Sequence, residues 1–214
     1  MNPHTRAPAR VDLEAGVEPI PTIGDDTTEM IAAALLHTVE RRDRHTATHM
    51  RQVSDLSVAI SIELGYTGSD LEAVKVGALL HDIGKIGTPL EFLTRPGPLS
   101  VTEYETVKEH ASAGARIVDG VRFPARVRAI VVQHHERLNG SGYPHGLRTS
   151  QIEPEARIVA VADVVGAMAC LRSYRPALGV PAALDEIERG SGELYDSDVV
   201  DACIGVFEQG RFRF

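Results

Sequence analysis

Between Gly77 and Pro89 the chain reads GALLHDIGKIGTP, so a histidine, an aspartate and a lysine follow directly on an apolar run. Ala78, Leu79 and Leu80 have the character of buried positions, and His81 and Asp82 enter the same core with no polar residue between. A carboxylate taken out of water without a partner costs several kcal/mol or gives up its charge. Asp82 is therefore expected to be paired or bound to a cation. An adjacent His-Asp pair suits a divalent metal, because imidazole offers one neutral nitrogen and a carboxylate has two oxygens with which to bridge two ions. On its own such a pair is more often a hydrogen-bonded helix end, and the rest of the chain has to decide.

Of the nine histidines in the chain, His49, His81, His110, His134 and His135 fall on helices or helix ends that look core-facing. Asp82 and Asp163 are lone carboxylates in apolar surroundings. Burying all of these without metal would strand several donors and acceptors, each at about 1 to 3 kcal/mol. The seven nitrogen and oxygen ligands, with one bridging carboxylate, suit two octahedral ions. No cysteine stands among them, which points away from structural zinc and towards iron or manganese.

The elements that must position these residues are legible as helices. Met30, Ala33, Ala34 and Leu36 begin an amphipathic helix at about Thr27 that runs to about Arg42. In the next helix His45, His49, Val53, Leu56, Ile60 and Leu64 recur at three- and four-residue steps, which puts both histidines on a core-facing stripe, and Gly65 supplies a stop. Ser69 with Glu72 predicts a capping box for the helix that delivers His81, and Ser100 with Glu103 predicts another for a helix carrying His110. Gly87 to Leu99, with three prolines and Gly97, reads as a shaped loop. Pro124 opens a helix that places Val127, Ile130, Val131 and His134 on one face. Arg137 to Thr149 holds Gly140, Gly142, Pro144 and Gly146 and cannot be helical. After Pro154 the run ARIVAVADVVGAMACL predicts a central helix around Asp163, and helices over about Pro181 to Arg189 and Ser197 to Glu208 close the domain. An all-α bundle over residues 27–214 follows, preceded by a proline-rich tail over residues 1–26 with no receiver or sensory domain.

Composition bounds the function. The chain has 214 residues, 43% of them hydrophobic and 24% charged, as expected of one globular domain with a sizeable core. A net charge of -8 argues against DNA or RNA as partner, and an anionic substrate would need locally placed cations. Cys170 and Cys203 are too few for a disulfide framework, no apolar run approaches a membrane span, and the polar start lacks the centre of a signal peptide. A cytoplasmic protein is expected.

Taken together, HDIGKIG from His81 to Gly87, the loop from Pro89 that is similar to PxxxLxKPGxLT, the KEH containing His110, HHERLNGSGYP from His134 to Pro144 and ARIVAVAD ending at Asp163 resemble the HD-GYP family, a branch of the HD-domain metal-dependent phosphohydrolases. The resemblance spans most of residues 45–208. It implies hydrolysis of cyclic di-GMP at a binuclear or trinuclear centre held by His49, His81, Asp82, His110, His134, His135 and Asp163. It also implies that Lys85 steadies a phosphate, that Arg172 and Arg175 contact the dinucleotide, and that Gly142, Tyr143 and Pro144 form a loop able to dock a diguanylate cyclase or another signalling protein. A homodimer stays open. The chemistry agrees: two ions about 3.5 to 4 Å apart would activate a shared water and neutralise charge on the phosphoryl and leaving oxygens, so no side-chain nucleophile is needed. Lys85 adds a fixed cation one turn past Asp82, and guanidinium groups can hold a second phosphate.

Departures from the family pattern shape the expectation. His45 stands where the family often has an acidic residue that serves a third metal; a neutral imidazole cannot bridge two ions, so two metals and pGpG as the main product are expected. Gly166 replaces an aspartate, and Ser173 and Ser197 replace prolines. Two alternatives remain: an HD phosphohydrolase of another nucleotide, and a non-catalytic module that binds a partner through the GYP loop.

Overall fold

The computed structural model of the chain describes residues 25–121, 123–170 and 178–214. Most of the expected tail and the LRSYRPA segment, with Arg172, Ser173 and Arg175, lie outside the described residues. Helix α1 (Asp25–Arg42) packs on α2 (Arg44–Glu63) and α3 (Gly68–Leu80). A 310 turn, Ile83–Gly87, follows, then α4 (Leu90–Thr94), α5 (Val101–Lys108), α6 (His110–Val121) and α7 (Ala125–Gln133). After the glycine-rich loop come α8 (Pro154–Ala169), α9 (Val180–Arg189) and α10 (Ser197–Glu208). Among the described residues there is no strand, only two isolated bridges, one of them Asn139 to Arg148 at the neck of that loop. None of the described helices is long and apolar enough to cross a membrane.

Local signals account for most of the boundaries. Asp43 caps α2 by accepting from the His45 and Thr46 amides, and Gly65, at φ 83°, turns the chain out of its end. Ser100 and Glu103 form the expected capping box, with Arg95 gripping the Glu103 carboxylate at 2.8 and 3.0 Å. Two expectations fail. Helix α3 begins one residue before Ser69, so the Ser69 hydroxyl already lies inside the first turn; it reaches Asp70, and the helix has no side-chain cap. Helix α5 ends at Lys108, and the break at Glu109 lets His110 open α6 as a buried residue instead of riding on α5.

Two apolar clusters form the core. One joins α2, α3, α7, α8, α9 and α10 through Leu56, Ile130, Val159, Val165, Ile187 and Val200. The other joins α1, α2, α3, α6 and α7 to the 310 turn through Leu36, Met50, Leu80, Ile83, Val118 and Val131. Each such side chain taken fully out of water contributes about 1.5 to 3 kcal/mol. Helix α8 is buried from Glu155 through Gly166 with few interruptions, which is why its sequence is apolar almost throughout. The 310 turn crosses α6 so closely that a Cβ on Gly84 would sit 2.0 Å from the His110 carbonyl oxygen. Only glycine allows that approach.

Candidate metal centre

Three histidines stand where helices end or begin, and each spends its Nδ1 in the same way. His81, following α3, donates to the Ala78 carbonyl at 2.7 Å; His110 to Val107 at 2.7 Å; His134, following α7, to Val131 at 2.9 Å. Carbonyls in the last turn of a helix lack intrahelical donors, so each bond satisfies both groups. It also fixes the tautomer that leaves Nε2 as a lone-pair donor. All three side chains are buried and their rings adjoin, with centroids 4.9 Å apart for His81 and His134 and 5.4 Å for His110 and His134.

His49 and His135 are placed differently. His49 Nε2 lies 2.9 Å from Asp163 Oδ1, and His135 Nδ1 lies 3.7 Å from Asp163 Oδ2. Asp82 adjoins two of the backbone-held rings: Oδ2 is 3.3 Å from His81 Nε2, and Oδ1 is 3.3 Å from His110 Nε2. All seven sequence-predicted ligands thus converge, in two adjoining groups: Asp82, His110, His134 and His135, and His49, His81 and Asp163.

The group that fits here is a cation. His81 Nε2 and Asp82 Oδ1 are buried with no hydrogen-bond partner, a costly condition in a core that a divalent ion would relieve. Electrostatics agree. Burial is the first cause that holds the His110 imidazole below its ordinary pKa, and His134 and His135 well below it, so these rings are neutral and ready to coordinate. Burial works to lower His81 as well, but Asp82 and Asp163 outweigh it and raise that ring. Against desolvation, Lys85 and His81 keep the Asp82 carboxylate well below its usual range, and His49 does the same for Asp163. Two carboxylates stay charged among mostly neutral rings.

Lys85, on the 310 turn, brings its ammonium 2.5 Å from Asp82 Oδ2. His45 corrects the sequence reading: it is exposed, in the first turn of α2, where the helix has run past the core. It belongs to neither ligand group and instead lines the cavity over the centre. That cavity, about 570 Å³, has His49, Lys85 and Tyr143 towards the centre and Phe92, Tyr104 and Val107 on an apolar wall. Gly166, also on its surface, leaves open the space beside His49.

The GYP loop is fastened to the histidine pair. A Cβ on Gly142 would lie 2.4 Å from Glu136 Cα, the Tyr143 amide donates to His135 O at 3.3 Å, and the Tyr143 ring lies 4.6 Å from that of His135 at 30°. Burial pushes the Tyr143 hydroxyl pKa up. Sequence reasoning missed the anchor of this loop, Glu136, which is 2% exposed and accepts the His145 and Leu147 amides at 2.7 and 2.9 Å. The signal was there: an acidic residue beside two histidines, before a turn whose amides need acceptors. Arg42 was missed too, and its partners are backbone carbonyls with no sequence signature.

Comparison with known proteins gives this centre a family. The HD domain profile matches residues 28–199. A cyclic di-GMP phosphodiesterase of Thermotoga maritima is 40% identical over 167 residues, 77% of this chain and 45% of that protein. The cyclic di-GMP phosphodiesterase response regulator RpfG of Xanthomonas campestris pv. campestris is 37% identical over 172 residues, 79% and 46% of the two chains. A solved cyclic GMP-AMP specific phosphodiesterase of Vibrio cholerae shares the fold with a TM-score of 0.66 at 20% identity, over 85% of this chain and 49% of that one. The chain therefore spans about half the length of these relatives. The profile covers every one of the seven converging residues, and His81 with Asp82 supplies the paired histidine and aspartate: the chain belongs to the HD-domain family.

Proposed function

We propose that the chain is a metal-dependent phosphodiesterase that opens cyclic di-GMP, mainly to pGpG. The observation that carries this reading is the Asp82 carboxylate with one oxygen towards each ligand group and a lysine ammonium beside it, under a cavity of small-molecule size. Two divalent ions, Fe or Mn by the mixed imidazole and carboxylate donors, would be held by His49, His81, Asp82, His110, His134, His135 and Asp163. Bound there, they would supply Lewis acidity and a nucleophile at neutral pH.

The chain's own groups do the rest. The imidazoles are oriented in advance by backbone carbonyls and by Asp163, so little reorganisation precedes binding. Lys85 offers a cation to a phosphate that enters beside Asp82, where charge grows on the phosphoryl oxygens. Phe92 and Tyr104, which also line the cavity, suit the faces of nucleobases. Arg172 and Arg175 are assigned, by the family resemblance, to the second phosphate. His45 brings no carboxylate to the cavity mouth for a third ion, which favours a single cut. A signalling partner such as a diguanylate cyclase would meet the GYP loop on its exposed residues, Ser141 and His145.

The test is product chromatography on anaerobically purified protein, loaded with Mn or Fe(II), against cyclic di-GMP, 3'3'-cGAMP and cyclic di-AMP. Chelation should abolish turnover and metal should restore it. Full activity in metal-free protein would overturn the reading, preference for another cyclic dinucleotide would move the specificity, and complete conversion to GMP would overturn the single cut.

A further inference from the structure

We propose that Arg42 is a positioning residue for Lys85. Its guanidinium fixes the backbone of the 310 turn, and with it the place from which the Lys85 ammonium meets the scissile phosphate. The inference rests on the phosphodiesterase reading of the centre.

Arg42 is the last residue of α1, and its side chain crosses to the turn Ile83–Gly87. Nη1 donates to the Lys85 carbonyl at 2.7 Å and to that of Ile86, and Nη2 donates to the Thr88 carbonyl. The Lys85 carbonyl already accepts the Thr88 amide at 3.0 Å, and the planar guanidinium fork adds a second donor there while meeting the neighbouring carbonyls, which an ammonium cannot do at once. One acceptor is the carbonyl of Lys85 itself, so the arginine acts at the backbone that carries the ammonium. The same turn is also held by α6, which leaves no room for a side chain at Gly84. Between these supports Lys85 reaches Asp82 Oδ2.

The corner that carries Arg42 is tied to the other ligand group as well. Asp43, the next residue, caps α2, the helix of His49. The α1–α2 corner thus fastens the His49 helix and the Lys85 turn to one another through consecutive residues. Ile86 is exposed, so water can satisfy its carbonyl when the arginine is gone. Thr88 is buried, so its carbonyl loses a donor as well, and some stability goes with the register of the turn.

The experiment compares Arg42→Ala and Arg42→Lys, each alone and combined with Lys85→Ala, in the metal-loaded full chain, with kcat, KM, metal content and Tm recorded. The chain has only three lysines, Lys75, Lys85 and Lys108, so reductive 13C-methylation gives a Lys85 signal assignable by its loss in Lys85→Arg. Arg42→Ala should lower kcat about tenfold with KM within about twofold and both metals retained. In the Lys85→Ala background the same change should cost less than about twofold, because the group it positions is gone. The Lys85 signal of Arg42→Ala should move towards that of free lysine, and Arg42→Lys should fall between; if Arg42→Ala does not fold, Arg42→Lys carries the comparison. Equal losses in both backgrounds, or a lowered Tm with kcat and the Lys85 signal unmoved, would overturn the proposal. If the wild type opens no cyclic dinucleotide, the functional reading fails, and the Lys85 signal alone decides whether Arg42 holds that lysine.

Discussion

His81, His110 and His134 are held by the backbone, each through Nδ1 to the carbonyl three residues earlier, whereas His49 and His135 lean on one carboxylate, Asp163. The first three rings are oriented by helix ends that exist whatever the other ligands do. The last two depend on a side chain that is itself a candidate ligand. A helix terminus is thus an inexpensive orienting device, local and independent, while a shared carboxylate couples the residues that use it. Asp82 adjoins two of the backbone-held rings, His81 and His110, which belong to different ligand groups.

That contrast can be broken most severely at Asp82. Asp82→Ala removes the one carboxylate that, among the described residues, faces both His81 and His110, and it should lose both metals and lower turnover by at least about a thousandfold. Two ions per chain retained by that variant would show that the residue does not bridge. Next in size is a paired comparison. Asp163→Ala should release His49 and His135 together and deplete both groups, whereas His134→Ala should weaken binding mainly in its own group, by about 10- to 100-fold, with His81 and His110 still pinned. If metal analysis finds the same loss in both variants, the two modes of support are equivalent. Lys85→Ala comes third: both metals kept, turnover lowered about 10- to 100-fold. Loss of metal there would move Lys85 into a structural role.

The parts of the molecule that could be read in advance are those whose cause is local. Ser100 with Glu103, Gly65 and Pro124 mark real helix boundaries, and the apolar run around Asp163 is apolar because α8 is enclosed on nearly all sides. The convergence of five histidines and two aspartates was legible because lone polar residues on apolar faces need partners. What escaped is what the fold creates. Arg42 and Glu136 answer backbone carbonyls and amides that become acceptors and donors only once a 310 turn and a loop are in place. The break at Glu109 and the early start of α3 are shifts of a residue or two, decided by packing at the junction. His45 shows the limit of periodicity, which assigns a face of α2 but does not tell that its first turn lies beyond the core.

A smaller effect separates the two groups by pH. In metal-free protein His134 and His135 are neutral well below the ordinary imidazole pKa, so a cation entering their group displaces no proton from them near neutrality. His81 is raised, because Asp82 and Asp163 outweigh the burial that would lower it. Below its raised pKa the ring keeps a proton that a metal must displace, so affinity at the His49, His81 and Asp163 group should begin to fall above the ordinary value of about 6.5, and by about tenfold per pH unit once the ring is protonated. The other group should hold its metal to lower pH. Calorimetric titration with Mn in two buffers of different ionisation enthalpy should find more proton release at the His49, His81 and Asp163 site than at the other. Equal release at both sites would contradict the difference.

The smallest change concerns the support that His135 draws from outside the ligand set. The Tyr143 ring lies 4.6 Å from that of His135, at 30°, and the Lys108 ammonium sits 5.6 Å from the centroid of the same Tyr143 ring. The loop itself is held by its backbone, through the Tyr143 amide to His135 and through the Glu136 carboxylate, and no change of side chain at 143 removes those bonds. Tyr143→Leu should therefore leave the loop in place and loosen only the His135 ring, which still leans on Asp163; metal binding in the Asp82 group should weaken about tenfold, with the His49 group unchanged. Tyr143→Phe keeps the ring face and should stay within about twofold of the wild type. Competition with a chelator of known affinity reads both. Phe as damaging as Leu would assign the effect to the hydroxyl, and no weakening in either variant would leave Asp163 as the sole support of His135, which would make the contrast with the backbone-held histidines sharper still.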